Sequence, residues 1–509
     1  MHAKVFSATI LGIDACLIEV EVDLSMGMVN FFIVGLPDKA VKESKDRIRA
    51  ALKNCGLKMP ERLVTVNLAP AHLKKQDALF DVPIAVAILQ AANQIQLPLE
   101  FLEQTVFLGE LSLDGIIRPV QGVISIAHSA WLKGKKRIIV PAQNVAEASA
   151  IEGLKVYGVE SLTQLVTFLR GTEKLLPANR LDYIFNDTAP PSFLDFSQVK
   201  GQFEAKRALE ICATGLHNIL FIGSPGAGKT MLAERLPSIM PEMSFAEAIE
   251  STKIYSVAGQ LHSGGLLKTR PFCSPHHTIS KAGLVGGGCV PRPGQISLAQ
   301  NGVLFLDEFT EFSRCTIESL RQPLESGVVT ISRANSSIEF PANFLMVAAS
   351  NPCPCGFFGD PSGKCQCPSL LVQKYMSKFS GPLLDRIDLH VRIKPVSFDD
   401  LNTDKNPKQE KSAQIKTRVV AAQTFARSRQ GAILNSRLNV DQVKEFCVLT
   451  PKAQELLKIA FEKLGMSARS YHRVLRVSRT IADLAQSKEI EQQHIREAIM
   501  LRLLDKQNL

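Results

Sequence analysis

The chain has 509 residues, 45% hydrophobic and 21% charged, which suggests about three domains with ample apolar material for their cores. A net charge of +10 and an isoelectric point near 9.0 favour an acidic partner, nucleic acid or a membrane surface. No apolar run approaches the ~20 residues of a bilayer-spanning helix, and Met1–Ile10 lacks a signal-peptide pattern. A cytoplasmic chain without membrane spans is expected, and its eleven cysteines then read as thiols or metal ligands rather than disulfides.

Residues 1–170 alternate strand-like and helix-like stretches, an α/β domain. Arg62–Asn67 reads as a strand. Asp81–Gln90 reads as a buried helix, with Pro83 tolerated in its first turn. Lys136–Val140 is another strand, and residues 160–170 close with a helix. The short basic run of Lys133, Lys135, Lys136 and Arg137 reads either as a DNA contact or as solvated surface. Residues 171–195, ending in Pro190–Pro191, form a linker.

A second domain spans 196–395. Asn218–Ile222 has strand character and Met231–Leu236 has helical spacing. Between them stand Gly223, Ser224, Pro225, Gly226, Ala227, Gly228, Lys229 and Thr230, a complete phosphate-binding loop. Its glycines let consecutive N–H groups face one anion, and the helix N-terminus adds partial positive charge. Lys229 can reach the β- and γ-phosphates of ATP, and Thr230 can ligate Mg²⁺. Val303–Leu306 is a buried strand ending in two acids, Asp307 for the Mg²⁺ shell and Glu308 to activate the attacking water. A further strand over 347–350 ends at Asn351, placed either to hold the lytic water or γ-phosphate or to start a turn before Pro352. Arg386 can stabilise charge on the γ-phosphate of a neighbouring subunit. Arg469, Arg473 and Arg476 are all candidate lid arginines.

Cys353, Cys355, Cys365 and Cys367 form two C-x-C pairs within fifteen residues, with Gly356, Gly359 and Gly363 between them. Four thiolates this close suit tetrahedral Zn²⁺. An iron–sulfur cluster or unligated thiols are the alternatives. Four thiolates leave no open position, so a structural role is expected. From 396 to 509 the chain becomes a helical domain. Its opening segment, 405–437, is basic: Lys405, Lys408, Lys411, Lys416, Arg418, Arg427, Arg429 and Arg437 stand against Asp404 and Glu410.

Together these motifs resemble the AAA+ ATPases of the magnesium chelatase I clade. Val34-Gly-Leu-Pro-Asp38, Phe272–Ser280, Pro291–Gln295 and Asn351–Cys355 resemble the ComM/YifB family of magnesium-chelatase-like proteins. That resemblance spans the chain. It implies a homo-hexameric, ATP-driven DNA helicase that promotes branch migration on single-stranded and branched DNA, alongside a RecA-type recombinase, during natural transformation. A magnesium chelatase-like ATPase that remodels a protein partner is the alternative. The resemblance matches Arg386 to the family's arginine finger and Arg469 to its lid sensor. It likens residues 270–300 to a helix-2 insert, a hairpin facing the ring channel. Lys281 there, and Arg333 in a second hairpin over 327–340, are candidate phosphate contacts. His276 and His277 read as hairpin-shaping residues; on a strand, neighbours would point to opposite faces, so a shared metal is not expected.

Residues 60–145 resemble the Lon protease fold (ribosomal S5 domain 2-like). That family uses a Ser-Lys dyad, but its serine position is Asp81 here and its lysine position is Ile124. Neither supplies a nucleophile or a base of that kind, so no peptidase activity is expected.

Overall fold

The computed structural model describes residues 1–75, 78–179, 194–261, 265–288, 291–333, 336–360, 363–379, 381–395 and 410–502. Most of the expected linker, Cys289, the tip of the second hairpin, and Lys405 and Lys408 lie outside the described residues, as does the side chain of Arg333. The chain divides into two compact units.

The first unit holds residues 1–189, 245–267 and 291–293. Its strands are β1 (His2–Leu11), β2 (Asp14–Ser25), β3 (Asn30–Val34), β4 (Leu63–Ala69), β5 (Thr105–Phe107), the two-residue pair β6 (Glu110–Leu111) and β7 (Ile117–Arg118), β8 (Arg137–Pro141) and β9 (Lys155–Val159). Seven of these make a mixed sheet ordered β3-β4-β2-β1-β5-β8-β9. Alternation sets which face is buried: Val20, Val22 and Leu24 on β2 and Val64, Val66 and Leu68 on β4 point into the core. The register pairs Val20 with Leu68 and Val22 with Val66, so apolar side chains meet across strands. The helix Asp81–Ala91 packs on the sheet, and Val82 through Leu89 are fully buried.

Asp81 opens that helix with no exposed surface. It is held by Arg47, whose Nε donates to Oδ2 at 2.7 Å and Nη2 to Oδ1 at 3.0 Å. The Leu111 amide donates to Oδ2 at 3.1 Å. Burial pushes the Asp81 carboxyl above its usual range, and Arg47 pulls it back only in part. Ile124 is likewise fully buried, its amide bonded to Glu147.

Where the sequence suggests an uninterrupted core over 196–395, residues 245–267 pack with the first unit instead. The helix Phe245–Ala258 carries the reason. Lys253 donates to Asp14 at 2.9 Å, and the Gly122 amide donates to Ser256 at 2.8 Å. Ser256 also bonds the buried Glu147. These partners sit more than a hundred residues upstream, so local pattern carries no trace of them.

The second unit holds residues 190–244, 268–290 and 294–509. It contributes β10 (Ile219–Gly223) and β11 (Phe272–Cys273). Two-residue strands β12 (Gly286–Gly287) and β13 (Arg292–Pro293) follow in the chain, then β14 (Val303–Leu306), β15 (Val328–Arg333), β16 (Ser336–Pro341), β17 (Leu345–Ser350) and β18 (Leu389–Ile393). Five form a parallel sheet ordered β11-β14-β17-β10-β18. The strands β10, β14 and β17 are almost wholly buried, as near-continuous apolar runs in a parallel sheet should be. β15 and β16 pair antiparallel from Val328–Pro341 to Arg333–Ser336, a hairpin.

Helices Ser412–Gln430, Pro451–Leu464, Ala468–Leu484 and Gln492–Met500 complete this unit. Thr450 caps one with Pro451 in its first turn, and Ser467 caps the next. Three cations of the basic segment pair with acids, most of them from distant positions. Arg418 pairs with Glu210 at 2.5 Å and Glu410 at 2.7 Å, Lys416 with Glu242 at 3.2 Å, and Arg429 with Asp483 at 2.7 Å. Among the described residues no helix is long and apolar enough to cross a membrane.

Candidate nucleotide site and cysteine cluster

The phosphate loop runs from the end of β10 into the helix Lys229–Ile239. Gly226 and Gly228 have φ of 76° and 90°, a region that a side chain makes costly, so these positions need glycine. Lys229 is only 8% exposed. Its Nζ donates to the Gly223 and Ser224 carbonyls at 2.6 and 3.1 Å and to Asn351 Oδ1 at 3.0 Å. Burial pushes its ammonium below the usual range, while Asp307 and Glu308 pull the other way. Thr230 Oγ1 donates to Asp307 Oδ2 at 2.9 Å.

The sheet order explains this convergence. β10 lies beside β17, and β17 beside β14, so the phosphate loop, Asn351 and the Asp307-Glu308 pair emerge at the same end of neighbouring parallel strands. Ligands gather at that end of open α/β sheets. Five sequence-derived residues thus meet in one place.

Glu308 adopts a left-handed backbone with φ of 49°, a conformation that costs a non-glycine residue about 1–3 kcal/mol and clusters at functional sites. Its Oε2 lies 3.1 Å from Nδ1 of His277. That contact gives His277 a partner that sequence alone does not show. His276 and His277 are not on a strand but in the turn after β11, with ring centroids 4.1 Å apart. The parallel pairing of β11 with β14 brings His277 to the acid. The adjacent histidines were the visible signal, but only the sheet order reveals their partner.

The arginines do not join this group among the described residues. Arg386 donates to Glu325 at 2.7 Å and to the Pro382 carbonyl at 2.6 Å. Arg473 is bound to the buried Asp388 at 2.7 Å. Burial opposes ionisation of Asp388, but Arg473, His217 and Arg502 outweigh it and hold its carboxyl below the usual range. Arg476 bonds the Ser436 carbonyl at 3.3 Å. Arg469 is exposed and, among the described residues, makes no hydrogen bond or ion pair. Lys281 is also exposed. It begins a five-residue helix, Lys281–Val285, capped by Ser280, where the sequence reading expects a hairpin.

The four cysteines come together, with all ligand atoms within 4.8 Å of one another. Cys353 Sγ lies 3.3 Å from Cys355 and 3.8 Å from Cys365, and Cys355 lies 3.6 Å from Cys365. Tetrahedral Zn–S bonds of ~2.3 Å would set sulfurs about 3.8 Å apart, so the donor set fits a single ion. A multi-iron cluster would spread its sulfurs further. The Phe357 amide, then the neighbouring thiols, bring the Cys355 thiol down to about 6. Cys365 is eased by the Cys367 amide, but burial and the adjacent sulfurs push it up to about 12.

Three family descriptions match the chain: "Magnesium chelatase, subunit ChlI" over residues 195–401, "Subunit ChlI of Mg-chelatase" over 20–144, and "Magnesium chelatase, subunit ChlI C-terminal" over 409–502. Competence protein ComM of Haemophilus influenzae is 44% identical over 510 residues, covering 99% of each chain. The uncharacterized protein YifB of Escherichia coli is 41% identical over 496 residues, 97% of this chain and 96% of its own. The magnesium-chelatase 38 kDa subunit of Rhodobacter capsulatus is 26% identical over 174 residues, 31% of this chain and 50% of its own. With a parallel nucleotide-site sheet, a helical C-terminal region and whole-chain relatives of this kind, the chain belongs to the ComM/YifB family of magnesium-chelatase-like AAA+ proteins.

Proposed function

We propose that this protein is a cytoplasmic, ATP-driven DNA helicase or translocase, working as a homo-hexamer to promote branch migration while transforming DNA is integrated beside a RecA-type recombinase. The observation that carries the ATPase half is the meeting of Lys229, Thr230, Asp307, Glu308 and Asn351 at one end of the sheet. Whole-chain likeness to a protein named for competence supports the DNA half. Lys229 and the loop amides hold the triphosphate, Thr230 and Asp307 hold Mg²⁺, and Asn351 orients the γ-phosphate or water. Glu308 takes the proton from the attacking water, with His277 positioning it. When bound, Mg²⁺ neutralises charge on the β- and γ-phosphates.

Arg386 serves as the finger toward a neighbouring subunit, which requires its pair with Glu325 to open. Arg469 serves as the lid sensor, since Arg473 and Arg476 are already engaged. Lys281 and Arg333 track DNA phosphates. The four cysteines hold one Zn²⁺, which shapes their loop. The first domain is Lon-like without peptidase chemistry. The match to magnesium chelatase descriptions over all three regions favours a second reading, a remodeller of a protein partner.

The deciding experiment is ATP hydrolysis with and without single-stranded DNA, alongside displacement of a strand from a labelled three-stranded substrate. Stimulation with displacement supports the motor. Hydrolysis indifferent to DNA, with no displacement, moves the assignment to the remodeller. Lys229→Ala is expected to weaken ATP binding at least a hundred-fold, read by calorimetry, because it removes the cation that meets the phosphates. His277→Ala should slow turnover about ten-fold while ATP affinity stays within two-fold, the signature of a positioning group.

A further inference from the structure

The cysteine loop does more than follow Asn351 in the chain. Gly356, with φ of 85°, lies directly against the phosphate loop: a Cβ there would stand 2.5 Å from Pro225 Cδ. The same Cβ would stand 3.8 Å from Asn351 Cγ. Next to it, Phe357 is half-buried, and its amide donates to the Cys355 sulfur. Phe357, Asp360 and Lys364 line a cavity of about 650 Å³, whose other walls include Val199, Gly226 and Met231. The Lys364 ammonium sits 5.9 Å from the centre of the Phe357 ring.

This cavity opens beside the phosphate loop, and its lining mixes apolar side chains (Val199, Met231) with the polar Lys200 and Gln202. A triphosphate seated on Gly226–Thr230 needs somewhere to put its base. An aromatic ring on a wall beside that seat offers a π-face for stacking. The ring is presented by a loop that packs on the phosphate loop through Gly356 and gathers its four sulfurs within 4.8 Å of one another. Apart from Cys353 and Gly356, the described residues from Cys353 to Cys367 are exposed or half-buried. A segment of that kind is ordered by its metal rather than by a core.

We propose that the cysteine loop is a metal-held wall of the nucleotide site, on which Phe357 stacks against the base of ATP, so that metal loading tightens ATP binding. This rests on the ATPase and single-ion readings above. It assigns base recognition to a loop that neither the phosphate-loop motif nor the acidic strand end contains.

The test is calorimetric titration of the full chain with ATP and, separately, with tripolyphosphate, which has the phosphates but no base. Metal content is measured on each sample by elemental analysis. Phe357→Ala should keep its metal, bind tripolyphosphate within two-fold of wild type, and bind ATP about ten-fold more weakly. A Cys365→Ser/Cys367→Ser variant that remains folded by circular dichroism should lose the metal and show the same selective loss of ATP. If Phe357→Ala holds ATP within two-fold of wild type, the stacking role is overturned. If the metal-free variant binds ATP as wild type does, or wild type binds ATP while carrying no metal, the metal coupling is overturned. Wild type that binds neither probe overturns the ATPase reading itself, and this inference with it.

Discussion

Glu308→Gln is expected to lower ATP turnover by a hundred-fold or more while leaving ATP affinity within about two-fold, since a positioned general base contributes ~10²–10⁴ in rate. Glutamine has the shape of glutamate but cannot accept the water proton. The groups that seat the nucleotide do not depend on it. Lys229 is fixed by two loop carbonyls and Asn351, and Thr230 by Asp307. The side chain of Glu308 is half-exposed and its contact is with His277, so the substitution leaves no buried group unpaired. The variant should therefore fold, bind ATP and stall. Single-turnover hydrolysis and ATP calorimetry on the same preparation separate the two effects. Near-normal turnover would remove Glu308 from the role of base and return attention to the residues around it.

What was legible beforehand follows from where the determining contacts lie. The phosphate loop and the Asp307-Glu308 strand end declare themselves because their chemistry is carried by a few consecutive residues. The cysteines declare themselves by spacing, and the structure brings all four together. Contacts set by sheet order were not legible. His277 meets Glu308 because β11 lies beside β14, and no local pattern encodes which strands are neighbours. Gly356 presses on Pro225 although 131 positions separate them in the chain. The helix Phe245–Ala258 follows the phosphate-loop helix in sequence, yet its polar anchors, Asp14, Gly122 and Glu147, belong to the first unit. The basic segment is a similar case. Counting neighbours in sequence makes 405–437 look like a free cationic stretch, whereas Glu210, Glu242 and Asp483 reach it through the fold.

The same reasoning bears on the arginines. By chemistry alone Arg469, Arg473 and Arg476 are equivalent, and only the family resemblance singles out Arg469; burial divides them as well. Arg473 is committed to a buried carboxylate whose ionisation it sustains. Removing it would leave the buried Asp388 with weaker support for its charge, from His217 and Arg502, so a loss of activity in that variant would report folding as much as catalysis. Arg469 has no such commitment among the described residues, which makes it the cleaner position for testing a lid sensor.

Arg47→Ala is expected to destabilise the first unit by about 3–5 kcal/mol, because it strands a buried carboxylate without its partner. Asp81 has no exposed surface, and two of its contacts are the Arg47 fork. Only neutral partners, the Leu111 amide and the Ser44 hydroxyl, would remain among the described residues outside the helix. The pH dependence gives the claim its sign. Burial already raises the Asp81 carboxyl above its unfolded range, and Arg47 is the main force opposing that rise. In the variant the folded pKa climbs further. A raised folded pKa contributes stability that is present below the unfolded value and lost as pH rises through the folded one. The gap between wild type and variant should therefore be small near pH 4 and widen toward neutrality, as urea midpoints across that range would show. Arg47→Met combined with Asp81→Leu should recover most of the loss, since an apolar pair of similar volume often replaces a buried ion pair at little cost. A pH-independent deficit, or a double variant no better than the single, would mean that Arg47 acts through packing of its alkyl chain. Either way the result bears on the place of Asp81, which this chain gives to an ion pair tying the helix Lys39–Asn54 to the helix Asp81–Ala91.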